Sequence, residues 1–157
     1  MFTLSSDPVE ALAVGLMSGR TNSDEDYEAY CRSIRELDVW AVGRDAPAYV
    51  LVVDPGNPPP DARWRKRIAE ASAELTCVKS GARPLFVLVT ASVAIRGIVT
   101  AISWLRPSQY DVVTCATIED AVRTLAARRG RPTQSLHDLL ARARAATTRA
   151  TRAPRAS

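Results

Sequence analysis

Histidine is almost missing from this chain, which has one copy, His137, in 157 residues. Three cysteines, Cys31, Cys77 and Cys115, stand far apart in apolar segments, without the spacing of metal ligands or of a disulfide framework. Since His137 lies beyond the predicted core, a Ser/His/Asp triad and a Cys/His pair are excluded. Glycine-rich phosphate loops are missing too. We therefore predict no catalytic site, no metal and no cofactor, and we interpret the cysteines as reduced, buried apolar side chains.

Long apolar runs are also missing. No stretch approaches the roughly 18 residues that a membrane-spanning helix needs. The first ten residues, MFTLSSDPVE, have neither the basic nor the apolar region of a signal peptide. We therefore expect a soluble, cytoplasmic protein.

Acidic residues are scarce in one part of the chain alone. Residues 123–157 hold nine arginines and one acid, Asp138, for a net charge of +8, whereas residues 1–122 have a net charge of −4. An arginine-rich end can bind nucleic acid or an anionic membrane electrostatically. It lacks interleaved aromatic residues that would stack on bases, so a solubilising or tethering role stays open.

Apolar periodicity predicts alternating strands and helices along the first 130 residues. Two β-like segments, 2–4 and 11–16, flank Ser6-Asp7-Pro8, and this predicts a hairpin. Runs rich in β-branched residues predict three buried strands, at 49–53, 85–89 and 110–113. Helical spacing predicts a helix over 23–41, with Ser23 and Asp26 as a capping box, and helices around Trp64, after Ser92 and after Thr117.

The order β-β-α-β-α-β-α-β-α predicts an α/β fold with a single mixed, mainly parallel sheet and an N-terminal hairpin. We assign residues 1–130 to this domain. For residues 131–157 we predict a short helix around Leu136, Leu139 and Leu140, followed by an arginine-rich, partly disordered tail.

The element order, with the stretches YVLVVDPG, PLFVLVTAS-VAIRGIVTAISWL and DVVTCATIEDAVRTLA, resembles the STAS domain of bacterial anti-sigma-factor antagonists and sulfate-transporter tails. The resemblance covers about residues 2–130 and implies a regulatory domain in signal transduction that docks to a partner protein, often without catalysis. Switchable members carry a phosphorylatable Ser or Thr just after the third strand. Here that place is DPGNPPPD, residues 54–61, which contains no hydroxyl residue, so the resemblance does not extend to this switch.

Asp54 and Thr90, each at a predicted strand end, also match part of the receiver domains of two-component signalling. The rest of that pattern fails, because Met17-Ser18-Gly19 supply no acidic pair and Thr114-Cys115 supply no lysine. Without the acidic pair there is no Mg²⁺ to support phosphoryl transfer. We interpret Asp54 as a turn-forming residue.

The predicted helix after Ser92 has a second strip, opposite its apolar stripe, that suits a protein interface. The strip contains Arg96, Gly97, Thr100 and Trp104, and a large aromatic residue among small ones is a common interface anchor. The alternative is that Trp104 covers part of the same chain. We expect an unidentified protein partner or a second copy of the chain on this strip.

A second candidate site lies at the strand ends and helix starts, where free N–H groups hold anions. Its residues are Asp54, Asn57, Arg63, Arg65, Arg67 and Ser92. Cations at a helix start oppose the helix dipole unless an anion offsets them, although a solvated face is the simpler interpretation. The sequence thus favours a non-enzymatic regulatory or scaffolding domain, with a small-anion or phospholipid-headgroup binder, or a nucleic-acid binder using the tail, as alternatives.

Overall fold

The computed structural model describes residues 1–73, 81, 83–105 and 111–152, and the side chains of 101–105 and 152 fall outside this description. Its strands form one five-stranded sheet in the order β1-β2-β3-β4-β5, with β1 antiparallel to β2 and the other neighbours parallel. This confirms the predicted α/β fold with an N-terminal hairpin. The strands are β1 Phe2–Asp7, β2 Leu12–Met17, β3 Ala48–Val53, β4 Leu85–Val89 and β5 Asp111–Cys115.

Five helices accompany the sheet: α1 Asp24–Ala41, α2 Ala62–Ala73, α3 Val93–Leu105, α4 Ile118–Arg129 and α5 Leu136–Arg152. The capping box at the start of α1 is confirmed, since Ser23 accepts from the Asp26 N–H while Asp26 accepts from the Ser23 N–H. Thr117 caps α4 in the same way, although without the reciprocal bond. The helix predicted around Trp64 is α2, and residues 74–80, which follow it, lie outside the described residues.

The strand order decides which face each helix covers. Parallel crossovers are right-handed, so connections that always step to the next strand place their helices on one face of the sheet. Accordingly α1, α2 and α3 pack on the face that presents Ala13, Tyr49 and Leu51. The opposite face, with Val14 and Val50, packs against α4 and α5.

The C-terminal segment is an integral part of the domain, which corrects the predicted short helix and tail. Helix α5 spans 17 residues, and its buried side chains lie in the core against β1 and β2. These buried residues are Leu136, Leu139, Leu140 and Ala143. The prediction of a boundary at residue 130 was wrong because the alanine-rich composition hides this 3–4 spacing beyond Leu140. Residues 153–157 lie outside the described residues.

Two arginines, the last residue of α4 and one in the loop that follows it, hold this arrangement together at the amino ends of the parallel strands. Arg129 donates to the carbonyls of Ala46 and Glu10, and Arg131 donates to the Glu10 carbonyl as well. The Glu10 carboxylate then accepts from the N–H and hydroxyl of Ser135, just before α5 begins. The β1–β2 turn, the α1–β3 loop and the start of α5 are therefore held together.

Gly15 marks a close approach across β2. A Cβ there would meet the hydroxyl of Tyr49, whose ring lies over the strand. Burial raises the pKa of Tyr49 above its ordinary range. Within the described residues no hydrogen bond of ordinary geometry reaches the Tyr49 hydroxyl. The Tyr49 ring therefore fits on this face of the sheet because Gly15 has no side chain.

The packing of α5 on the sheet is tested by placing a charge on its buried side and, as a control, on its exposed side. Ala143 is fully buried and Ala145 is exposed. We expect Ala143→Glu to lower the free energy of unfolding by about 3 kcal/mol or more, because the carboxylate would lie unpaired in the core. Ala145→Glu should stay within about 0.5 kcal/mol of wild type. Urea unfolding followed by circular dichroism measures both, and equal effects would show that α5 does not pack on the sheet.

Candidate functional site

The carboxyl ends of the parallel strands are joined by a reciprocal pair of amides. Asn22, after β2, and Asn57, after β3, exchange two hydrogen bonds of 2.8 and 3.0 Å. Asn57, which is buried, also donates to the Gly19 carbonyl, and Asn22 donates to the Tyr27 hydroxyl. All four amide hydrogens are therefore used inside the protein. Asn57, a predicted ligand-binding residue, holds two loops together here.

Acids on α1 offset two of the three predicted anion-binding arginines of α2. Arg63 contacts Asp24 at 3.2 Å, and Arg67 contacts Glu28 at 3.5 Å. Both guanidinium groups also lie over the Trp64 ring, 5.0 Å from its centroid. Asp24 and Glu28 thus offset the unfavourable placement of these two cations at the start of α2.

Trp64 is the centre of the contact between α1 and α2. Its ring stacks on Tyr27 with centroids 5.1 Å apart, and its Nε1 donates to Asp24 at 2.9 Å. Because the side chain is buried, this amphipathic contact fixes the position of the helix start.

Arg65 differs from its two neighbours. Its guanidinium donates to the Pro60 carbonyl at 3.1 Å and is exposed, and among the described residues it has no carboxylate partner. The other predicted members of the anion site lie in local turns. Ser92 caps α3 by accepting from the Ile95 N–H, and the Asp54 carbonyl accepts from the Asn57 N–H. The structure therefore does not gather the six predicted residues around one point.

Of the described residues of the strip predicted on α3, Gly97 and Thr100 are exposed and Arg96 is half-buried. Gly97 and Thr100 are exposed on the side opposite the buried Ile95, and Val93 at the helix start is 73% exposed. The Arg96 guanidinium turns back to the Thr90 carbonyl at 2.6 Å. The Trp104 side chain lies outside the described residues. We call Val93, Ala94, Gly97 and Thr100 the outer face of α3.

A cavity lies between the sheet and helices α1, α2 and α3, with a volume of about 360 Å³. Ligands of open α/β sheets usually bind where the strand order reverses, and the order of the described strands has no reversal. This cavity lies instead between the helices and the face of the sheet that they cover. Asn57 and Arg65 lie at its rim, and Ile95, Ile98 and Val99 of α3 form part of its wall. Sequence reasoning missed it, because its apolar lining residues have the same periodicity as core residues.

The described residues contain no group of three or more His, Cys, Asp or Glu side chains that would suit a metal ion. Cys31 and Cys115 are buried free cysteines, as predicted, and Cys77 lies outside the description. Burial raises the pKa of Cys31, against the opposing effect of Arg67 and Arg35, so this thiol is a poor nucleophile.

Three arginines of the C-terminal segment lie on α5, whereas Arg155 and the side chain of Arg152 lie outside the described residues. Arg142, Arg144 and Arg149 are exposed on α5, and among the described residues none of them has an ion-pair partner. His137 is exposed at the first turn of the same helix. Within the described chain, no helix combines the length and the apolar character needed to cross a bilayer.

Comparison with protein-family models, with curated proteins and with solved structures gives no match. The resemblance to the STAS domain therefore stays a prediction from the sequence. The fold is shown by the structure itself, and the function has to be argued from the surfaces and cavities described above.

Asp26 links the start of α1 to β1 and gives the fold a predictable pH dependence. Burial opposes ionisation of Asp26, but hydrogen bonds from the N–H groups of Ser23 and Phe2 outweigh it, and the pKa lies below its ordinary 3.8. Because the pKa is lower when folded, the ionised group adds stability above about pH 4. This contribution is lost as the pH falls through the folded pKa.

We expect Asp26→Asn to be less stable than wild type at pH 7 by about 1 kcal/mol or more. The difference should shrink as the pH falls below 4, whereas Glu36→Gln, at an exposed position of the same helix, should have little effect. Urea unfolding from pH 7 to pH 3 measures this. A stability difference that does not change over this range would contradict the assignment.

Proposed function

We propose that this chain is a non-enzymatic regulatory or scaffolding domain that resembles a STAS domain and acts by protein–protein contact through the outer face of α3. The observation that carries the proposal is that α3 is largely apolar on both sides, with Thr100, whose hydroxyl donates to the Arg96 carbonyl, as the polar exception among its exposed described residues. Its 13 residues include one charged residue, Arg96, and that guanidinium is bound to the Thr90 carbonyl.

A helix that is apolar all round is normally buried on every side. The inner side of α3 packs on the sheet through Ile95 and Val99. On the outer side, Val93 has 73% of its surface exposed, and its exposed neighbours Ala94 and Gly97 carry no polar side chain. Exposed apolar surfaces that are contiguous often mark interaction sites, and this face supports the proposal on that ground.

The shape of the outer face favours a helix as the partner element. A Cβ added at Gly97 would meet nothing within 4 Å, so the backbone is open to close approach there. Small side chains let two helices pack at short interaxial distance. We therefore propose that the partner presents a largely apolar helix, from another protein or from a second copy of this chain.

The hydrogen bonds at the carboxyl edge of the sheet support the scaffolding role that we propose, because they fix the loops at that edge. The amides of Asn22 and Asn57 bond each other, and Asp24 binds both Arg63 and Trp64. A loop edge that is cross-linked in this way holds the start of α2 in a fixed position beside the sheet.

The test compares two exposed valines on different surfaces, Val93 on α3 and Val9, 88% exposed, in the β1–β2 turn. Val93→Asp keeps α3 intact, because an acid in the first turn is favoured by the helix dipole. It should reduce the recovery of the partner about tenfold or more, since a charge would be buried unpaired in the interface. Val9→Asp should recover the partner as wild type does.

The measurement is quantitative mass spectrometry of proteins captured from a lysate of the producing cells, with light scattering to detect a second copy of the chain. The proposal is wrong if Val93→Asp, folded by circular dichroism, captures the same proteins in the same amounts as wild type.

A further inference from the structure

We propose that the cavity between the sheet and helices α1, α2 and α3 binds one elongated amphiphile, a medium-length aliphatic chain with an anionic head group held at Arg65. This proposal concerns the inner side of α3. It stands apart from the proposed protein contact on the outer face, and the two are tested by different measurements.

The cavity has the size of a ligand site. Its volume of about 360 Å³ lies within the roughly 300–1,000 Å³ of small-molecule pockets. It extends along β3, from Val53 at the carboxyl end to Ala48 at the amino end. These five steps correspond to about 16 Å at ~3.3 Å per residue. A space with this length and a modest volume fits a narrow chain better than a compact ring system.

The wall of the cavity is apolar. The sheet contributes Leu51, Val53 and Leu88, and the helices contribute aliphatic and aromatic side chains. Those of the helices include Tyr30, Ile34, Leu37, Ile68, Ile95 and Val99. Such a wall makes no directional contacts, so affinity should grow with the number of methylene groups buried, by roughly fourfold for each.

A cationic side chain at one end of the cavity sets the orientation of the ligand. Arg65 lies at the end where β3 finishes, with the prolines of the β3–α2 loop, Pro58 and Pro60. An anionic head group is therefore favoured at the Arg65 end.

Arg65 is the arginine of α2 that remains available for a ligand. Arg63 and Arg67 are held by Asp24 and Glu28, whereas Arg65 bonds one backbone carbonyl and keeps its other donors exposed. A guanidinium group fits a carboxylate or a phosphate with two parallel hydrogen bonds. The head group is thus a carboxylate, as in a fatty acid, or a phosphate, as in an isoprenyl or alkyl phosphate.

The first experiment titrates the purified chain with hexanoate, octanoate and decanoate below their micelle concentrations, by calorimetry. We expect one site per chain and an affinity that rises roughly fourfold per methylene. Decyl phosphate tests the other head group, and decanol tests the need for a charge. Decanol binding as tightly as both anions would overturn the role of Arg65, and no saturable binding of any of these probes would overturn the site.

Two pairs of variants locate the ligand. Arg65→Gln should weaken decanoate binding by about tenfold or more, while Lys66→Gln, next to it and exposed, should leave it unchanged. Ala69→Phe places a ring in the cavity and should abolish binding, while Ala62→Phe, at an exposed position that does not line it, should not.

Circular dichroism and thermal unfolding show whether each variant is folded. If Ala69→Phe does not fold, Arg65→Gln and the chain-length series still decide the proposal. A folded Ala69→Phe that binds decanoate as wild type does would contradict the location.

Discussion

The burial of β3 on both of its faces is the constraint on which the rest of this structure depends. All six residues of β3 are buried, as expected for a central strand of a mainly parallel sheet. The sequential strand order sends α1, α2 and α3 to one face, so the second face is left for elements that follow β5. This is why α5 belongs to the core, and why the contacts of Arg129 and Glu10 that position its start matter for the whole domain.

The two faces are packed differently. Under α4 and α5 the core consists of branched aliphatic side chains and alanines, such as Val50, Leu125, Leu139 and Ala143, several of which are fully buried. Under α1, α2 and α3 the larger aromatic residues line a partly open cavity. Helix α3 is shared by both proposals, since its inner side lines the cavity and its outer face is offered to a partner. A ligand that fills the cavity would contact α3 directly, so ligand binding and partner binding would be coupled if each favours the same position of the helix.

The elements that depend on local chemistry were predictable from the sequence. The Ser23–Asp26 capping box, the turn at Asp7 and the buried runs of β3 and β4 each contain their own signal within a few residues. The continuation of α5 was not predicted, because Ala143 and Thr147 carry a weak apolar signal among arginines. It becomes core through contacts with strands more than 100 residues earlier, such as that between Thr3 and Ala143.

The candidate sites were also predictable only where they depend on residues that are close in the sequence. The sequence left open whether the arginines at the start of α2 meet an anion or lie on a solvated face, and Arg63 and Arg67 contact acids of α1. It did not identify Asp24 and Glu28 as those anions, because they lie 39 residues away. A cavity has no signature in periodicity, since it is a property of how helices of given size sit on a sheet.

The central claim is that one face of the sheet is tightly packed and the other accommodates a ligand. Methyl-resolved NMR during equilibration with xenon, which enters dry apolar cavities, tests it most directly. The account predicts shifts at the methyl groups of Leu51, Ile95 and Val99, and none at Leu125, Leu136 and Leu139. An unchanged spectrum, or shifts confined to the α4–α5 face, would contradict it.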